Sequence, residues 1–125
     1  MKRFGLLLLV GMLVSVSCKK DKVSPFAGEW SGGYTGSDQG MWSVTVDDDG
    51  TISGMGTSLR SGANFSLEGS VSNNGNFLAT IGSVATGSEF TGTLTTEGQA
   101  SGTWKNTLAT PPQEGTWIGS RDSYD

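Results

Sequence analysis

Phe90-Thr91-Gly92-Thr93-Leu94-Thr95-Thr96-Glu97-Gly98-Gln99-Ala100-Ser101-Gly102-Thr103-Trp104 decides the fold. Phe90, Gly92 and Leu94 alternate with Thr91 and Thr93. After the Glu97-Gly98 break, Ala100, Gly102 and Trp104 alternate with Ser101 and Thr103. Strict alternation places successive side chains on opposite faces of a strand, and a glycine between two such runs supplies the positive φ of a tight hairpin. The stretch therefore reads as two antiparallel strands with one apolar and one polar face.

The same grammar runs outward in both directions. Asp49-Gly50 and Asn74-Gly75 repeat the turn signal, and breaks recur about every 12 positions. The predicted strands cover 28–35, 40–47, 51–58, 63–71, 76–82, 88–95, 99–106 and 114–121. Pro111-Pro112 cannot donate ladder hydrogen bonds and belongs to the loop before the last strand. One face collects Trp30, Tyr34, Trp42, Val44, Val46, Ile52, Phe65, Leu67, Val71, Phe77, Ile81, Phe90, Leu94, Trp104 and Trp117, with glycines interspersed. The other is mostly Ser, Thr, Glu and Lys, with Met55, Leu78 and Ile118 as exceptions.

No helical periodicity follows residue 18, so no helix is expected to cover the apolar face, and the sheet must cover itself. Eight strands joined in order by short turns predict an all-β, antiparallel up-and-down meander closed into a small barrel. The outward polar face is the reverse of a membrane barrel.

All four tryptophans fall on the first two and last two predicted strands: Trp30, Trp42, Trp104 and Trp117. Closure makes those strands neighbours, so the indoles are expected to form a contiguous aromatic wall. Two readings stand: a stacking platform for a flat or sugar-like ligand, and core packing along the closing seam.

The N-terminus has a separate logic. Lys2-Arg3 precedes the apolar run Phe4–Val14, and Ser15-Val16-Ser17 leads to Cys18, the one cysteine of the chain. The apolar run spans about 20 Å as a helix, short of the roughly 30 Å hydrocarbon core, which favours a secretory signal over a membrane span. Residues 1–17 are expected to be a helical signal peptide, 18–25 a lipidated N-terminus and linker, and 26–125 the barrel domain. With one cysteine no intrachain disulfide is possible.

The segment ending at Cys18 resembles the lipobox of bacterial lipoproteins. The small Ser17 stands at the cleavage position, and Ser15 where the pattern usually has Leu. The resemblance implies cleavage before Cys18, lipid on Cys18 and anchoring in the cell envelope, with the outer membrane as the expected location. Lys19-Lys20-Asp21 is similar to the short signal that sends some Gram-negative lipoproteins to the cell surface. Gly28-Glu29-Trp30 matches the Gly-x-Trp element of lipocalin-like and avidin-like barrels, which implies a small binding barrel.

From Phe26 onward eleven acidic residues face three basic ones, Arg60, Lys105 and Arg121, a net charge of −8. That charge argues against nucleic-acid binding and against direct adhesion to anionic lipid. The chain has no histidine, which removes Ser-His-Asp and Cys-His catalysis and the usual zinc sites. Asp47-Asp48-Asp49-Gly50 fails as an EF-hand loop because Ser58 occupies the twelfth position, so it reads as a hairpin turn. Glu68 and Glu89 fall on the outer face of nonadjacent strands, where solvated acids are expected rather than a glycosidase pair. No catalytic residue, metal ligand or cofactor is therefore assigned. The expected protein is a noncatalytic, lipid-anchored envelope or surface barrel, a monomeric domain that serves as a structural module or as a binding module for a small-molecule or protein ligand. The alternative is a protein inhibitor of an envelope-directed lysozyme or protease, acting through the segment 106–114.

Overall fold

A computed structural model describes residues 23–81 and 88–122. The signal peptide, Cys18 and most of the linker lie outside the described residues. Eight strands follow in order: β1 (Gly28–Gly36), β2 (Gly40–Val46), β3 (Thr51–Ser58), β4 (Asn64–Val71), β5 (Asn76–Ile81), β6 (Ser88–Leu94), β7 (Gln99–Asn106) and β8 (Gln113–Arg121). Each pairs antiparallel with the next, and β8 pairs with β1 to close the barrel. The eight-stranded meander expected from alternation is the fold. β2 stops at Val46 because Asp47 enters the turn, where its N–H donates to the Thr51 carbonyl at 2.9 Å.

The apolar alternants all point inward. Trp30, Val44, Val46, Ile52, Leu67, Phe77, Phe90, Leu94 and Trp117 are buried, and Phe65 and Ile81 pack partly buried against them. Met55, Leu78 and Ile118 lie exposed on the outer wall, as does Met41. An eight-stranded barrel has an interior just wide enough for its side chains. Here glycines make the room. Trp117 pairs with Gly102 across β7–β8, and its ring leans towards Gly92 on β6. Trp104 stands opposite Gly115, Trp42 opposite Gly32 with its ring reaching Gly119, and Phe65 opposite Gly56.

The same glycines leave carbonyls open to the indoles. Trp117 Nε1 donates to the carbonyls of Thr91 and Thr103, both at 3.1 Å. Trp104 Nε1 reaches the Thr35 carbonyl at 3.0 Å, and Trp42 Nε1 the Gly33 carbonyl at 3.2 Å. A buried N–H left unpaired costs about 1–3 kcal/mol, so each ring fills space and satisfies its polar atom in one placement.

One end of the barrel is shut. Three turns of one design lie there: Gly50, Gly75 and Gly98 adopt positive φ and donate to the carbonyls of Asp47, Ser72 and Thr95. Each turn glycine's carbonyl then accepts from the following hairpin, at Val71, Leu94 and Arg121, while Asp122 N–H returns to the Glu29 carbonyl. Phe26 is buried at this end and its carbonyl accepts from Trp30 Nε1 at 2.9 Å. The Arg121 guanidinium lies 4.9 Å from the Trp30 ring centroid and donates to the Pro25 carbonyl at 2.9 Å. Ser24 and Pro25, expected as the last linker residues, thus belong to the base. Ser24 is buried and its N–H bonds the Asp48 carbonyl.

A methyl group at Gly102 would overlap the Thr91 carbonyl oxygen, whereas nothing lies within 4 Å of one at Gly62. Gly102→Ala is expected to cost about 2–3 kcal/mol by overpacking. Gly62→Ala meets only the backbone strain of φ +78° and should cost about 1 kcal/mol. Urea denaturation of the two variants checks the difference.

Candidate functional site

Among the described residues, the opposite end carries no counterpart of Phe26. Its described connections are 37–39, 59–63 and 107–112. The first two are linked by the Leu59 N–H to Gln39 carbonyl bond at 2.8 Å. Ser37 ties the first to β8, donating N–H to the Glu114 carbonyl at 3.0 Å and accepting from Glu114 N–H at 3.1 Å. Between these connections the mouth opens on a cavity of about 210 Å³.

The floor of the mouth is aromatic. Tyr34 stands edge-on at the centre, with centroids 6.1 Å from Phe65, 5.9 Å from Phe90 and 5.5 Å from Trp104. Phe90 lies nearly parallel to both Phe65 and Trp104. These T-shaped pairs are the arrangement that ring quadrupoles favour. These four rings converge because each is an inward alternant at the mouth end of its own strand, β1, β4, β6 and β7.

Above the floor sits a polar cluster assembled from loops. Tyr34 Oη donates to Asp38 Oδ2 at 3.1 Å, and Ser58 Oγ donates to Asp38 Oδ1 at 3.0 Å. Ser58 Oγ also accepts from the Ser61 N–H at 3.2 Å. Arg60 Nε stands 3.8 Å from Asp38 Oδ1 with its side chain 60% exposed, a contact that contributes little in water. Burial pushes the Tyr34 phenol from 10.0 up to about 12, with the hydrogen bond to Asp38 and its charge adding to the shift and Ser58 opposing it. The phenol is therefore neutral at ordinary pH and acts as a fixed donor.

The structure spreads the four tryptophans along the barrel. Trp42 and Trp117 meet edge-to-face at 5.5 Å across the Gly32 gap in β1. Trp30 lies in the closed base beneath Arg121 and Trp104 at the mouth beside Phe90. Trp30 is 0% exposed and Trp104 7%, and Trp104 alone of the four borders the mouth cavity. Asp47, Asp48 and Asp49 form the β2–β3 turn. The Thr51 N–H donates to Asp49 Oδ1 at 3.0 Å and holds that carboxyl below its ordinary range. Glu68 and Glu89 flank Thr80 on opposite sides of β5, on the outer wall. In the segment 106–114, Leu108 is 66% exposed, with its N–H on Asn106 Oδ1.

Asp38 and Ser58 escaped the sequence reading. The available signal was Tyr34 and Asp38 at the two ends of a short crossing, an inward phenol four residues from an acid. Neither a comparison with protein-family models nor one with curated proteins finds a match to this chain.

Because the Tyr34 pKa is raised by folding, its contribution to stability is fully present below pH 10 and is lost as pH rises through about 12. Phenolate absorbance is expected to show one late transition in the folded protein that Tyr34→Phe removes. A Tyr34 transition at the ordinary phenol value would contradict the burial argument.

Proposed function

We propose that the protein is a noncatalytic, lipid-anchored barrel of the bacterial cell envelope that takes a small molecule at its mouth. Lipid on Cys18 attaches it to the membrane, with the outer membrane as its place. The observation that carries the binding half is the inequality of the two ends. The base is sealed by Phe26 and three interlocked turns, whereas a cavity at the mouth is lined by the rings of Tyr34, Phe65, Phe90 and Trp104 beneath a hydrogen-bonded rim. Concave sites of this make-up, apolar with a few fixed polar groups, are where small ligands bind.

The anchoring half rests on the Lys2-Arg3, apolar-run and Cys18 pattern. The chain joins the barrel at Ser24 in the base, and the six residues from Cys18 reach at most about 20 Å. Lipid on Cys18 therefore holds the base close to the membrane and leaves the mouth directed away from it. The noncatalytic reading follows from the absence of histidine and from carboxylates that, Asp38 in the mouth apart, are dispersed over turns and outer wall among the described residues. The domain's charge of −8 disfavours nucleic acid as a partner. No cofactor is invoked.

The exposed Leu108 beside Pro111 and Pro112 favours one other reading, inhibition of an envelope-directed lysozyme or protease through this loop. An apolar tip on a constrained loop lowers the ordering cost of docking.

In cells fed labelled palmitate, the unaltered chain is expected to take up label and fractionate with membranes, and Cys18→Ser to do neither. Unlabelled wild-type protein would end the anchoring proposal. Tryptophan fluorescence titrated with sugars, haem and fatty acids tests the mouth. A response that Trp104→Phe abolishes supports binding there. Silence together with inhibition of a lysozyme or protease supports the loop reading.

A further inference from the structure

The mouth carries a chemical bias that narrows its ligand, granted the reading of the mouth as a binding site. Asp38 is its one carboxylate among the described residues, and no lysine or arginine lines the cavity. The two groups that donate to Asp38, the Tyr34 and Ser58 hydroxyls, are both neutral. They fix the carboxylate in place without cancelling its charge. Arg60 approaches one oxygen only, at 3.8 Å, from an exposed position outside the cavity lining.

Below this charge lie the rings of Tyr34, Phe65, Phe90 and Trp104. Aromatic faces carry negative quadrupole potential and attract cations, most strongly where water is excluded. The acidic domain adds a long-range field of the same sign. All three features favour a cation and oppose an anion such as a fatty-acid carboxylate. The volume of about 210 Å³ lies below the roughly 300–1,000 Å³ of sites for drug-sized ligands, which selects a small one. A single carboxylate is a poor ligand set for a divalent metal, which takes six or more oxygens as calcium. An organic cation uses both the charge and the rings.

We propose that the mouth binds a small monovalent organic cation, an alkylammonium or quaternary ammonium group, with Asp38 as counter-charge and the four rings as its apolar floor. Arg60 then competes with the ligand for Asp38.

The test uses the full chain in an uncharged detergent, followed by Trp104 fluorescence and by calorimetry. The probes are choline chloride, its uncharged carbon isostere and potassium chloride at matched ionic strength. Choline is expected to bind about tenfold more tightly than the isostere, and potassium to give no saturable response. Asp38→Asn should weaken choline by about tenfold, and Arg60→Ala should tighten it by about two- to threefold. The comparison of choline with its isostere needs no variant and stands even if Asp38→Asn fails to fold.

Equal binding of the isostere, an equal response to potassium, or weaker choline binding in Arg60→Ala overturns the cation assignment. So does a response to a sugar or fatty acid, abolished by Trp104→Phe, with none to choline, although the mouth then remains a ligand site. Absence of any response to choline, sugars, haem and fatty acids by both methods overturns the assignment and the mouth reading together.

Discussion

The barrel depends on large rings laid over missing Cβ atoms. A closed eight-stranded sheet encloses little space, and this chain commits four tryptophans and several phenylalanines to it. Trp117 over Gly102, Trp104 over Gly115, Trp42 over Gly32 and Phe65 over Gly56 resolve the conflict. Removing a side chain from one strand admits a ring from the next. It also uncovers backbone carbonyls, which three indole N–H groups occupy. Close packing and hydrogen-bond satisfaction are thus one arrangement, which is why the composition is rich in glycine and tryptophan together.

That arrangement sets the character of each end. At the base, short turns with positive-φ glycines let neighbouring hairpins bond one another, and Phe26 with the Arg121–Trp30 pair fills the remaining opening. At the mouth, Tyr34 occupies the axis and directs its hydroxyl out of the barrel towards Asp38. The rings below are fixed by mutual edge-to-face contacts, so the floor is preformed rather than gathered on binding. Preformed sites spare a ligand part of the ordering cost.

Glycines of two kinds must be told apart. Gly50, Gly75 and Gly98 are needed for their φ, and an Asn or Asp before a glycine announces that locally at two of the three. Gly32, Gly102 and Gly115 are needed for space against a neighbouring strand. Their role depends on partners up to dozens of residues away, as Gly32 meets Gly119 and Trp42. Alternation placed them inward but did not say which ring each would receive. The tryptophans show the same limit. Their confinement to two adjacent strands at either chain end pointed to closure, but it did not say that Trp42 would meet Trp117, Trp104 would meet Tyr34 and Phe90, and Trp30 would lie under Arg121.

The sequence by itself determined the strands, their two faces, the turn positions and the meander, because each follows from local period and turn chemistry. It also set the domain's acidity and the absence of histidine. Only the tertiary structure decided that Phe26 and interlocked turns seal one end, that the described residues leave a cavity at the other, and that Tyr34, Asp38 and Ser58 meet. The reason is physical. The cluster joins β1, a connecting loop and the end of β3, and what brings them together is barrel curvature and the bonds between loops, neither of which leaves a periodic trace along the chain.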